Sequence, residues 1–137
     1  MKAGTLRPQS AMKAGVVAPS KLSFSFRYMD RQHNKFSYSE REASYFCKVL
    51  ERLSVLCDKT VLEVQAERSS ALRAHPIEWD RTSEPGGFSH LNEQLRESRP
   101  YQFSISSNAH GRVHGFFIDH VFYVVWLDPD HHLYPGR

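Results

Sequence analysis

Five of the eight histidines fall in the last third of the chain: His110, His114, His120, His131 and His132. Arg112 stands between the first two, and Tyr134 closes the group. Imidazoles titrate near pH ~6.5, so they can pass protons, and the neutral ring is a common metal ligand. The metal reading fits these types but not their spacing. Zinc sites gather His, Cys or carboxylate ligands tetrahedrally. The chain has neither CxxC nor HExxH, and His110-x-x-x-His114 crosses from a loop onto a strand. Neither a metal nor a cofactor is therefore expected. Plainer roles stay open beside chemistry. Arg112 can pair with a carboxylate, His114 can hydrogen-bond on a sheet face, His131-His132 can sit in a solvated turn, and Tyr134 can pack on the sheet.

The stretch that must position these residues runs from Tyr101 to Tyr134. Its strand-period alternation predicts three antiparallel strands, Tyr101–Ser106, Arg112–Ile118 and Val121–Leu127. Asp119-His120 reads as a two-residue hairpin loop, and Ser107–Gly111 as the link before it. That loop sets Ile118 opposite Val121, Phe117 opposite Phe122, Phe116 opposite Tyr123, Gly115 opposite Val124, His114 opposite Val125 and Val113 opposite Trp126. Side chains alternate across a sheet. One face then carries Val113, Gly115, Phe117, Phe122, Val124 and Trp126, which helices must cover. The other carries Arg112, His114, Phe116, Ile118, Tyr123, Val125 and Leu127. Chemistry belongs on this second face, extended by the tail Asp128–Tyr134.

The rest of the chain supplies the cover. Residues 1–21 read as a flexible tail, and 22–137 as a single α+β domain. Leu22–Tyr28 alternates as a first strand, with Leu22, Phe24 and Phe26 on one face. Ser39–Cys57 is the clearest helix, with Ser39 and Glu42 at capping-box spacing. Its expected buried stripe is Ala43, Phe46, Cys47, Leu50, Leu53, Ser54 and Cys57. Thr60 or Asp58 caps a short helix through Val61, Leu62, Val64 and Ala66. Ala74–Gly87 reads as a loop packed down by Ile77 and Trp79. Phe88–Arg99 reads as a helix that Pro100 ends. The expected architecture is two-layer, with a four-stranded, mostly antiparallel sheet and two or three helices on one face.

Composition narrows the setting. With 137 residues, a formal charge of +3 and pI near 9.0, the chain permits an anionic partner without requiring one. No apolar run reaches the ~20 residues of a membrane span, and no signal-peptide core is present. Cys47 and Cys57 sit ten residues apart on one expected helix, roughly 15 Å, too far for a disulfide. They read as small core side chains in a reducing, cytoplasmic setting.

The element order, together with GRVHGFF-IDH-VFYVVWLD and the ending DPDHHLYP, resembles the RelE/ParE toxin superfamily. That resemblance implies a toxin of a toxin-antitoxin system and a metal-independent endoribonuclease that cleaves mRNA, with ribosome dependence and an antitoxin partner. It gives Arg112 the role of phosphate clamp, since a guanidinium binds phosphate oxygens two at a time. Tyr134 and His131 or His132 match the family's late Tyr and His and serve as acid, base or stacking group. Arg96, Arg99 and Tyr123 would contact RNA. Active members carry further cations on the preceding strand, where this chain offers only Gln102, Ser104 and Ser106. Either His114 substitutes as imidazolium, or Arg96 and Arg99 reach in, or RNA is not cleaved. The alternative function is a non-catalytic protein-binding module using the same sheet face.

Overall fold

The computed structural model describes residues 19–107 and 109–135. Most of the expected N-terminal tail lies outside the described residues. Lys21 pairs with Thr60 across an isolated bridge, and its ammonium donates to the Asp58 carbonyl at 2.9 Å.

The fold is α+β, built on one five-stranded mixed sheet. In chain order the strands are β1 (Ser23–Ser25), β2 (His75–Pro76), β3 (Pro100–Ser104), β4 (Arg112–Ile118) and β5 (Val121–Asp128). The helices are α1 (Ala43–Leu56), α2 (Val61–Ala66) and α3 (Glu93–Arg96), with a 3₁₀ turn at Trp79–Arg81. Across the sheet the order is β1-β5-β4-β3-β2. β1 lies parallel to β5, and the other three pairings are antiparallel. The expectation of four strands missed β2, whose two residues are too short to show alternation.

The β4–β5 hairpin turns where expected. Asp119 has φ 54°, the left-handed backbone that Asp tolerates in a tight loop. The pairs from Ile118–Val121 to Gly115–Val124 follow the sequence register, and then a bulge intervenes. His114 pairs with Trp126, Val113 with Leu127 and Arg112 with Asp128. The Val125 carbonyl at the bulge accepts from the Asp30 amide at 2.9 Å. An extra residue shifts every later side chain to the opposite face. Trp126 therefore leaves the helix-covered face, Leu127 joins it, and Asp128 arrives on the face of His114.

Each face carries its own core. On one, Val113, Phe122, Val124 and Leu127 pack with Tyr101 and Phe103 beneath Tyr45, Val49, Leu53 and Leu56 of α1 and Val64 of α2. The stripe on α1 is thus rotated from the expected one. Leu50 is 63% exposed, both cysteines are exposed, and Tyr45 and Val49 face inward. Glu42 is the N-cap and makes no side-chain cap bond, so the expected Ser39 capping box does not form. Thr60 does cap α2, with Glu63 completing the box.

The second face is not left open. Phe116, Val125 and Trp126 lie under Phe36, Ile77, Phe88, Leu91, Leu133 and Tyr134, with Tyr28, Trp79, Tyr123 and Leu95 packed alongside. Pro76, Pro85 and the Gly pair keep this cover irregular, yet its aromatic side chains plug the sheet as a helix would. The helices therefore do not share one face: α1 and α2 cover the first, and Leu95 of α3 packs on the second. Expected helix Phe88–Arg99 shrinks to the single turn of α3. The first strand shrinks to three residues, leaving Phe26 48% exposed.

Candidate functional site

The bulge brings Asp128 to His114. The Asp128 carboxylate meets His114 Nε2 at 2.9 Å and accepts from the amides of His132 at 2.8 Å and Leu133 at 3.0 Å. Both side chains are buried. Burial pushes the Asp128 carboxyl up, but these three N–H donors win and hold it below its ordinary value. Burial also lowers His114, against the pull of Asp128. The pair is therefore carboxylate and neutral imidazole, with the ring proton on Nε2 and a lone pair on Nδ1. His114 is 0% exposed and cannot reach a ligand as a surface cation. Its work is to hold Asp128, which in turn anchors the chain from Pro129 to Tyr134.

That anchored segment forms one wall of a cleft of about 640 Å³. Arg73, His75, Gln102, His110, Arg112, Asp130, His131 and Tyr134 line it. Asp130 is occupied by an ion pair with Arg41. Arg112 is half-buried. Burial lowers its pKa, the Arg73 charge lowers it further, and Asp128 opposes both. Its Nη1 reaches only the Gly111 carbonyl, at 3.3 Å, and its buried Nε has no partner among the described residues. Two guanidinium groups that repel across a cleft favour an anion between them.

The imidazoles are oriented by their neighbours. His75 Nδ1 lies 2.7 Å from the Pro76 carbonyl, so that nitrogen carries the proton. Its Nε2 then accepts from the Gln102 amide at 3.1 Å. Ser106 donates its hydroxyl proton to the Ala109 carbonyl at 2.7 Å, so its oxygen accepts from His110 Nδ1 at 3.0 Å. His110 Nε2 is left as the basic nitrogen of that ring. The Tyr134 hydroxyl accepts from the Glu78 amide at 2.9 Å.

The backbone around the cleft is strained. Arg73, His110 and His131 have φ of 50°, 70° and 59°. Such backbone costs a non-glycine residue roughly 1–2 kcal/mol and concentrates at functional sites. Gly111, at φ 75°, is needed for a second reason: a Cβ there would sit 1.9 Å from the Asp128 carbonyl oxygen. The loop and the C-terminal wall can close together only on glycine.

Of the residues expected at the site, Arg112, His131 and Tyr134 meet in the cleft, and His114 lies behind it. His132 gives only its amide, while its ring turns toward the Lys35 carbonyl, 3.4 Å away. Arg96 and Arg99 are exposed and do not line the cleft; Arg99 lies over the Tyr101 ring. Tyr123 stacks on Phe116 within the second core, also away from the lining. Arg73 and His75 enter the site unannounced, and Gln102, expected only as a polar group on the neighbouring strand, lines it. The three come from distant stretches joined by pairing of β2 with β3 and by the Ser104 amide donating to the Leu72 carbonyl at 2.7 Å. Among the described residues, no three His, Cys, Asp or Glu side chains are grouped to hold a metal ion. No helix among them is long and apolar enough to cross a membrane. The chain matches no family model, no curated protein and no solved structure.

Proposed function

We propose that the cleft binds an RNA phosphodiester and that the chain is a metal-independent endoribonuclease of the toxin type. The observation that carries this reading is the pair Arg73 and Arg112, facing one cleft in which the one lining carboxylate among the described residues, Asp130, is already paired with Arg41. Arg112 and Arg73 hold the non-bridging phosphate oxygens and stabilise the charge that builds on them. His110 Nε2 takes the proton from the 2′-hydroxyl, and O2′ attacks phosphorus. The bond to O5′ breaks, and His131 or Tyr134 protonates the leaving oxygen. The products are a 2′,3′-cyclic phosphate and a 5′-hydroxyl end. The toxin assignment rests on the sequence resemblance of the last 34 residues. It carries with it mRNA as substrate, the ribosome as a possible platform, an antitoxin that covers the cleft, and a cytoplasmic setting.

The test is cleavage of an end-labelled mRNA by purified protein, with and without ribosomes. The expected result is 5′-hydroxyl fragments, with the rate falling 100-fold or more in Arg112→Ala, the usual scale for losing one stabilising donor. No cleavage under either condition removes the nuclease reading. A specific protein complex that survives both Arg112→Ala and His114→Ala would then identify a binding module on the same sheet face.

A further inference from the structure

We propose that the floor of the cleft is a ribose subsite, where the Gln102 side-chain carbonyl accepts from the 2′-hydroxyl beside the phosphate held by Arg112 in the bound ground state, before that single proton turns to His110 Nε2 in the cleavage step. This rests on the phosphodiester reading and narrows it to RNA over DNA. Gln102 is only 2% exposed, yet it lines the cleft. Its orientation is set by its neighbour. The His75 proton is spent on the Pro76 carbonyl, so the Gln102 amide nitrogen must be the atom facing His75. The carbonyl Oε1 therefore points elsewhere, and it has no hydrogen-bond partner among the described residues. A buried acceptor left unmet costs free energy, and a ligand donor would recover it.

The sheet register sets what that ligand must look like. Gln102 pairs with His114, and Ser104 pairs with Arg112. Gln102 and Arg112 are thus diagonal neighbours on one face, about 7 Å apart. All four residues of this block carry a buried polar atom without a partner among the described residues: Gln102 Oε1, Ser104 Oγ, Arg112 Nε and His114 Nδ1. Beyond these and Asp128, that face is apolar core. Of the four, Gln102 and Arg112 line the cleft, where an unmet polar group is placed to receive a polar ligand. An ionised phosphate alone satisfies Arg112 but is repelled by the Gln102 carbonyl, since both are acceptors. The ligand must place a donor beside its anion. RNA does so with the 2′-hydroxyl next to each 3′-phosphate, whereas DNA has only hydrogen at that carbon. A free sugar phosphate shares this chemistry.

Calorimetric titration of the full chain with adenosine 3′-monophosphate and its 2′-deoxy analogue tests the subsite, because neither can be cleaved. Ribose 5-phosphate serves as the third ligand. The ribonucleotide is expected to bind about tenfold tighter than the deoxynucleotide, the effect of one hydrogen bond. Gln102→Met should bring that ratio to about one by weakening the ribonucleotide alone. Arg112→Ala should weaken both nucleotides in similar proportion. Equal binding of the two nucleotides by the unaltered chain overturns the ribose subsite and leaves the phosphate cleft standing. Failure of both to bind overturns the phosphodiester reading as well. Ribose 5-phosphate binding as tightly as the ribonucleotide overturns the assignment to RNA in favour of a small sugar phosphate.

Discussion

Replacing His114 with glutamine should flatten the acid side of the stability profile. His114 is 0% exposed, and its Nε2–H donates to the Asp128 carboxylate at 2.9 Å. Protonating the ring would put a second N–H on Nδ1, which has no partner among the described residues. Burial accordingly lowers the folded pKa below its ordinary value of about 6.5. A depressed pKa means the unfolded chain binds the proton first. Stability is fully present above pH ~6.5 and falls as pH drops through the window down to the folded value. Within that window the slope approaches ~1.4 kcal/mol per pH unit. Against a total of roughly 5–15 kcal/mol, one unit of acidification is a measurable loss. Glutamine can place an amide N–H where Nε2–H was, and it cannot titrate. Urea melts of the unaltered chain and His114→Gln, at several pH values from about 7.5 to about 5, read the difference directly. The unaltered chain should lose stability more steeply below pH ~6.5. Parallel profiles, or a chain that gains stability on acidification relative to His114→Gln, would refute the assignment of a buried neutral imidazole.

Asp128→Asn should destabilise by about 3 kcal/mol, since a charged acceptor of three buried N–H groups is lost. Limited proteolysis should then find the chain after Pro129 cut earlier than in the unaltered protein, because its anchor is gone. Asp128 also adds an acid limb of its own. Its depressed pKa gives stability that is present above pH ~3.9 and lost as pH falls through the folded value. Gly115→Ala should cost about 1–3 kcal/mol or more in a denaturant melt, since the new Cβ would sit 2.0 Å from the Tyr123 carbonyl oxygen and 2.7 Å from the Phe122 ring.

The sequence announced the parts of this molecule that repeat a period. The Asp119-His120 turn, the three-strand meander and the long helix all follow from alternation or helical spacing. What it concealed is what a single residue can change. One extra residue at Val125 moves Trp126, Leu127 and Asp128 to opposite faces, and alternation cannot register an event of length one. Arg112 and His114 were correctly set on the face away from α1. The face of their partner Asp128 depends on the bulge, which alternation does not mark. That Ile77 and Trp79 pack down was legible, but the face they cover was not. Ile77, Trp79, Phe88 and Leu133 lie in stretches broken by Pro and Gly, where hydrophobic residues have no period to follow. The loop signature at Ala109-His110-Gly111 was visible, whereas the strain at His110 and the close approach at Gly111 needed the packed C-terminal wall.

The most direct measurement is an NMR titration of the 15N-labelled chain with adenosine 3′-monophosphate, which keeps its 2′-hydroxyl and carries no phosphodiester to cleave. The account predicts that the largest amide shifts fall on residues lining the cleft, notably Arg73, His110, Gly111, Arg112 and His131. Arg112→Ala should then weaken the binding. Shifts gathered instead around Tyr123, Arg96 and Arg99, with the cleft residues unmoved, would contradict it.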